Sequence, residues 1–333
     1  SLKRMFSWCR ANAMPVLAVL AAAVTAVFVP PDGEYLGYYD LRTLACLLSM
    51  LAVVCALCLG RTALQLVQYR QGDETYAQAE ELAGLPDLSD LPVVDFTGGS
   101  GSVSSSASAD GAGETPEEVP VWQDPYAQAL KDMDFSALRQ QNPDVLGWIL
   151  IPGTRVSYPV VQGTDNSYYL DHTWRGGKNS VGAIFMDYRN SGDLSDFNTI
   201  IYGHRMNNRS MFGTLKKYKS RDYFRKHPYV YLTTDAGSAR YEIFAAYEVA
   251  TDGETYRLGF GSDSAKQAFL DYCVGQSVID TGVTPQVWDR IITLSTCTGS
   301  GHATRWVVQA RLEGGLPAES TETGEAASSG AAA

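Results

Sequence analysis

Cys297 and His204 are the two residues best placed to do nucleophilic chemistry together, because each closes an apolar, β-branched run. Ile291-Ile292-Thr293-Leu294-Ser295-Thr296 leads into Cys297, and Thr199-Ile200-Ile201-Tyr202-Gly203 leads into His204. A thiol at a strand end, with a loop opening after it, stands where a substrate carbonyl can reach it. It becomes a strong nucleophile once a nearby base takes its proton. A buried or incidental thiol is the ordinary alternative for a lone cysteine there. Gly203 lets backbone approach closely, and two residues that end separate strands can meet at one rim. Arg305 is the third candidate, at the head of Trp306-Val307-Val308-Gln309-Ala310. A hairpin of IITLST and RWVVQARL places it across from Cys297, where a planar, always-charged fork can stabilise the oxyanion of an attacked amide. A rim salt bridge is its ordinary alternative.

The remaining candidates carry less. His172 (DHTWRGGKN) and His227 (RKHPYV) lie in hydrophilic connections, where a solvated imidazole is expected. His302 sits in the Gly-rich stretch 298–304, and no role is assigned to it. Cys273 falls on a helical segment and reads as core packing. Cys9, Cys46, Cys55 and Cys58 lie in or beside apolar N-terminal runs, so neither a disulfide framework nor zinc spacing emerges. No metal or organic cofactor is implied.

Strands must position these residues. Eight candidates, GWILI, SYPVVQ, GAIFMDY, TIIYGH, YVYLTT, ARYEIFAAYEVA, RIITLST and RWVVQARL, are separated by Gly, Asp, Asn and Pro turns. That density predicts a mainly β domain, a closed or nearly closed eight-stranded barrel. DPYAQALKDMDFSALRQQNPDV predicts two short N-terminal helices, the second ended by Asn142-Pro143. Residues 262–277 predict one inserted amphipathic helix with Ala265, Ala268, Phe269 and Tyr272 on one face.

Upstream, residues 12–29 and 41–59 are each long enough to cross a ~30 Å hydrocarbon layer and read as membrane helices. Residues 1–60 therefore form a membrane-anchoring region, which also faintly resembles the opening helices of an anion permease. Residues 61–94 follow as a juxtamembrane helical stalk, and 95–120 as a flexible linker around the Gly/Ser/Ala tract 97–113. The catalytic domain spans 121–313, and 314–333 is a tail disordered by composition. The LPAES within that tail lacks a Thr-Gly pair and any following apolar span, so it reads as coincidence. Twenty-six Lys+Arg against thirty-seven Asp+Glu give a formal charge of −11, which argues against nucleic-acid binding.

The strand-end blocks also resemble a known family. Ile200-Ile201-Tyr202-Gly203-His204, Leu294-Ser295-Thr296-Cys297 and Arg305 resemble the His, Cys and Arg of sortases, the cysteine transpeptidases of Gram-positive cell walls. The likeness is greatest to class B and runs over 144–312, through DVLGWI, YPVVQG, the stretch 166–170 and IFMDYRN. It implies a sortase-like barrel with Cys297 as nucleophile, His204 as general acid/base and Arg305 as the oxyanion and orienting group. Asn166, Leu170, Tyr202, Tyr256 and Ser295 would line the peptide groove, although Leu170 and Tyr202 could equally be barrel packing. The implied partners are secreted proteins bearing a sorting pentapeptide and, as acceptor, a peptidoglycan precursor or pilin amine.

Such a catalytic domain is expected on the extracellular face of the cell membrane. With Lys3, Arg4 and Arg10 favouring an internal N-terminus, that placement makes 41–59 the working anchor and 1–30 fused, misassigned or not a true span. A thiol peptidase passing the same intermediate to water is the second reading. A non-catalytic membrane scaffold or transporter remnant is the third.

Overall fold

The computed structural model describes residues 41–88, 90–91, 124–297 and 303–317. The apolar stretch 12–29, the tract 97–113, His302 and most of the tail fall outside these residues. Ser1–Leu66 and Val67–Ala333 form two compact units.

Helix α1 (Leu41–Leu82) contains the apolar stretch 41–59. Among the described residues it is the one helix long and apolar enough to cross a membrane, and Leu51, Val53, Leu57 and Leu59 on it are exposed. The expected stalk is corrected by its second half, since from Val67 onward the helix belongs to the barrel unit. Tyr76, Ala79 and Ala83 are buried there because they recur at helical spacing and meet an apolar surface. The helix ends where Gly84 adopts φ +57°, with Leu85 N–H donating to Glu80 O and Gly84 N–H to Glu81 O. This is the left-handed glycine stop that satisfies terminal carbonyls.

Two short helices follow, α2 (Pro125–Leu130) and α3 (Ser136–Gln141). Asp124 caps α2 by accepting from Ala127 N–H at 2.8 Å, ahead of a proline at the first helical position. The same carboxylate pairs with Arg240 and accepts from Tyr231 OH at 3.0 Å, which ties the helix to the sheet.

All eight expected strands are present: β1 (Val145–Leu150), β2 (Ser157–Val161), β3 (Ile184–Met186), β4 (Asn198–Tyr202), β5 (Tyr229–Thr234), β6 (Gly237–Ala250), β7 (Ile291–Cys297) and β8 (Thr304–Pro317). They close a mixed barrel in the order β1-β2-β3-β4-β7-β8-β6-β5. The β2–β3 and β4–β7 pairs are parallel, and the rest are antiparallel. Closure leaves no free sheet edge to template aggregation. Helix α4 (Arg221–Lys226) precedes β5, and helix α5 (Asp263–Gln276) lies between β6 and β7.

Alternation along the strands builds two cores. Ile201, Ile292, Leu294 and Val308 join the main core, whereas Ile291, Val307, Tyr247 and Val249 pack on the opposite face with Phe269, Leu270 and Cys273 of α5. The buried face of α5 therefore differs from expectation: Ala268 is exposed, and Leu270 and Cys273 take its place. Phe269, Leu270 and Cys273 fall at i, i+1 and i+4, the set that faces the sheet together. The tail boundary also moves. Strand β8 continues past Gly314, because Gly314 and Gly315 pair with Arg240 and Ala239 of the long β6. His227 is half-buried instead of solvated, with its Nδ1 2.8 Å from Pro152 O, and that burial lowers its pKa.

Candidate active site

Parallel pairing of β4 with β7 sets Tyr202 opposite Ser295. Gly203 N–H then donates to Ser295 O at 3.1 Å, carrying the register one residue further. His204 and Cys297 thus emerge side by side from adjacent strands. Gly203 is required at this point, since a Cβ would lie 2.4 Å from Ile184 Cδ1 and 2.7 Å from Phe212 Cδ2. On the other side of β7, Arg305 of β8 is the direct cross-strand partner of Cys297.

The side chains of His204 and Cys297 line the same cleft, and the His204 Nε2 lies 2.5 Å from the carbonyl oxygen of Leu170. A carbonyl only accepts, so Nε2 carries a hydrogen and Nδ1 is the nitrogen that gains or loses a proton. Interaction with the His204 side chain lowers the Cys297 pKa against the opposing effect of partial burial, and Arg305 lowers it further. The His204 pKa is raised, first by Cys297, against desolvation, and then by the Leu170 carbonyl. The two shifts together favour a thiolate–imidazolium pair.

A cleft of about 570 Å³ contains all eight residues singled out from the sequence: Asn166, Leu170, Tyr202, His204, Tyr256, Ser295, Cys297 and Arg305. Their situations differ. Leu170 is 46% exposed, whereas Ser295 is 1% exposed and shares a 2.9 Å hydrogen bond with Tyr256 OH. The rings of Tyr202 and Tyr256 stack at 6.4 Å. Both ends of the Asn166 amide are engaged, Nδ2 donating to Asp187 Oδ2 at 2.9 Å and Oδ1 accepting from Tyr188 N–H at 3.1 Å.

Asp187 and Arg189 were not singled out individually, although they sit inside the IFMDYRN block. Asp187 has no exposed surface and accepts from Asn166, from Tyr202 OH at 2.9 Å, and from Arg189 Nε at 2.9 Å and Nη2 at 2.7 Å. Burial pushes its carboxyl up, but the hydrogen bonds from Arg189, Tyr202 and Asn166 outweigh this and hold it below the usual range. The carboxylate thereby fixes three cleft side chains at once.

A second buried network anchors the opposite wall. Asn198 Nδ2 donates to Thr255 O at 3.1 Å and Arg257 O at 2.9 Å, and its Oδ1 accepts from Thr293 Oγ1 at 2.7 Å. Gln309 Nε2 donates to that Thr293 hydroxyl at 3.0 Å, and Tyr247 OH donates to Gln309 Oε1 at 3.0 Å. These bonds hold the 3-10 turn Glu254–Tyr256 against the sheet and so place Tyr256 over Ser295. Each of these buried polar atoms finds a partner, so the network rigidifies the wall.

Known proteins share this architecture. The sortase domain family matches residues 149–313. Sortase B of Listeria monocytogenes is 39% identical over 177 residues, covering 53% of this chain and 72% of that protein. A Staphylococcus aureus sortase B–substrate complex matches at 36% identity with a TM-score of 0.52, over 54% of this chain and 84% of that one. A sortase B structure complexed with triglycine matches at 36% identity with a TM-score of 0.51, over 54% of this chain and 85% of the other. A closed eight-stranded barrel and identity at this level over most of a curated relative lead to one conclusion: the chain belongs to the sortase B family of cysteine transpeptidases.

Proposed function

We propose that Cys297 cleaves a C-terminal sorting signal of secreted proteins and that the resulting acyl group passes to a cell-wall or pilin amine. One observation carries this reading: His204 and Cys297 leave adjacent parallel strands in matching register, with Arg305 directly across from Cys297, and all three line one open cleft. The Cys297 thiolate attacks the scissile carbonyl, a C–S bond forms, the C–N bond breaks, and the imidazolium of His204 gives its proton to the departing amine. Arg305 stabilises the oxyanion formed on the way. An incoming amine then attacks the thioester, the C–S bond breaks, the amine's proton passes to His204, and the thiolate returns. Asn166, Leu170, Tyr202, Tyr256 and Ser295 bind the peptide along the cleft. The relatives bound to a substrate and to triglycine support a peptide donor and a glycine amine as acceptor.

Mass spectrometry of the enzyme incubated with a panel of sorting pentapeptides tests the assignment. The expected product is an acyl adduct on Cys297 that is absent from a folded Cys297→Ala variant, and that triglycine discharges as a new amide. Full activity in Cys297→Ala would sink the assignment, and discharge to water alone, with triglycine ignored, would favour a thiol peptidase.

We further infer that residues 41–59 anchor the protein and that the catalytic domain lies outside the cell, tethered through 95–120. Protease added to intact cells is expected to cut within 97–113, and protection there contradicts this placement.

A further inference from the structure

We propose that helix α1 is a positioning element of the active site, acting through Tyr76 on the loop that holds His204; this rests on His204 being the acid/base. Two residues of the 168–183 loop touch the imidazole. Leu170 accepts from Nε2, and Gly182, at φ +64°, packs so closely that a Cβ there would lie 2.7 Å from His204 Cδ2. The same Cβ would meet the carbonyl oxygens of Leu170 and Tyr169 at 2.8 Å, so the three groups form one tight cradle. Ala183 N–H closes it by donating to Tyr169 O at 2.9 Å.

The cradle is gripped from the helix. Tyr76, 6% exposed, donates its hydroxyl to Gly182 O at 2.6 Å. Gln68 O accepts from Asn179 Nδ2 at 3.1 Å, and Thr75 O accepts from Trp174 Nε1 at 3.1 Å. Gly72 faces Val181, where a Cβ would lie 2.9 Å from Cγ2. Positions 68, 72, 75 and 76 recur as i, i+4, i+7 and i+8, the spacing of a single helix face. That face bears on the loop, with the Tyr76 ring also set edge-on against Tyr158 of β2 at 5.2 Å, and the loop in turn sets the two contacts that hold the imidazole. Removing the Tyr76 hydroxyl leaves the buried Gly182 carbonyl without this donor and frees the cradle to shift. A shift of a fraction of an ångström at an acid/base is felt in rate.

The test measures iodoacetamide modification of Cys297 against pH, resolved from the other cysteines by peptide mapping, in the full-length wild type, His204→Ala and Tyr76→Phe. This reads the thiolate without any sorting peptide. The charged groups that act on Cys297 and His204 are each other, Arg305 and Arg205, and Tyr76→Phe alters none of them; the Leu170 carbonyl, which also acts on His204, belongs to the cradle that Tyr76 grips. The expected result is a Tyr76→Phe profile displaced toward that of His204→Ala, with kcat/KM for a sorting peptide lowered about tenfold. Gln68→Ala, which removes the acceptor for Ser180 Oγ at 2.7 Å, should move the profile the same way by less and covers the case that Tyr76→Phe does not fold. Arg175→Ala, which removes the exposed contact to Gln78 on the same helix and the stacking over the Trp174 ring at 5.7 Å but none of the hydrogen bonds from α1 to the loop named above, should leave it in place. A lower melting temperature in Tyr76→Phe with an unmoved profile and unchanged kcat/KM overturns the proposal. If His204→Ala itself matches the wild type, the reading of the site falls first and this inference with it.

Discussion

His204 and Cys297 are neighbours because β4 and β7 run parallel in a register that pairs Tyr202 with Ser295 and leaves both residues just beyond those partners. Nothing local in either strand brings them together. The chain between them contributes α4, β5, β6 and α5 before β7 returns to lie beside β4. Their interaction shifts the two groups in opposite directions, the thiol down and the imidazole up.

Activity should therefore follow a bell-shaped pH profile. The acid limb reports loss of the Cys297 thiolate and lies below the ordinary thiol value of 9.0, since that group's pKa is lowered. The alkaline limb reports loss of the His204 proton and lies above the ordinary 6.5, since that pKa is raised. The two limbs belong to the coupled pair rather than to either residue alone. Measuring kcat/KM across pH checks this; a single ionisation with an unshifted thiol would count against the pair.

Arg305→Lys should lose on the order of a hundredfold in kcat/KM, mostly in kcat, because an ammonium retains the charge but not the forked donors aimed at an oxyanion. Single-turnover acylation with a sorting peptide separates this from weaker binding. Near-normal acylation would return Arg305 to the role of a rim cation.

Asp187→Ala should destabilise the fold by about 2–3 kcal/mol, less than a fully buried ion pair would give, because Arg189 is 47% exposed. Tyr202 and Asn166 lose their common acceptor in the same step, so KM should rise as well. The sign with pH follows from the lowered carboxyl: its contribution is complete above the ordinary 3.8 and disappears as pH falls through the folded-state value. Urea titrations of wild type and Asp187→Asn should accordingly converge in acid.

Gly203→Ala should cost about 1–3 kcal/mol by overpacking, as its Cβ would strike the buried Ile184 and Phe212 side chains. Relief of that clash must move the strand end that carries His204, so turnover should fall further than the urea midpoint implies. Equal activity with a lowered midpoint would separate the strand end from catalysis.

Patterning within the chain was sufficient for the eight strands, the two short helices before them and the helix between β6 and β7, because each alternates or repeats at its own period and most are separated by turn residues such as Gly, Asp, Asn and Pro. The same local logic singled out Cys297 and His204 as strand-end residues and Arg305 as the hairpin partner, since an antiparallel turn dictates its own register. Tertiary structure alone decided the rest. Parallel neighbours are not adjacent in sequence, so the β4–β7 contact follows from barrel closure and from no local signal. Asp187 reads as one more residue of the GAIFMDY strand until folding buries it beneath Asn166, Tyr202 and Arg189. Helix α1 reads as a stalk because its periodicity declares a face but not what that face meets; the loop that cradles His204 supplies the partner from about a hundred residues away. Burial and long-range pairing are properties of the closed chain, and a one-dimensional pattern carries no record of which distant surface completes it.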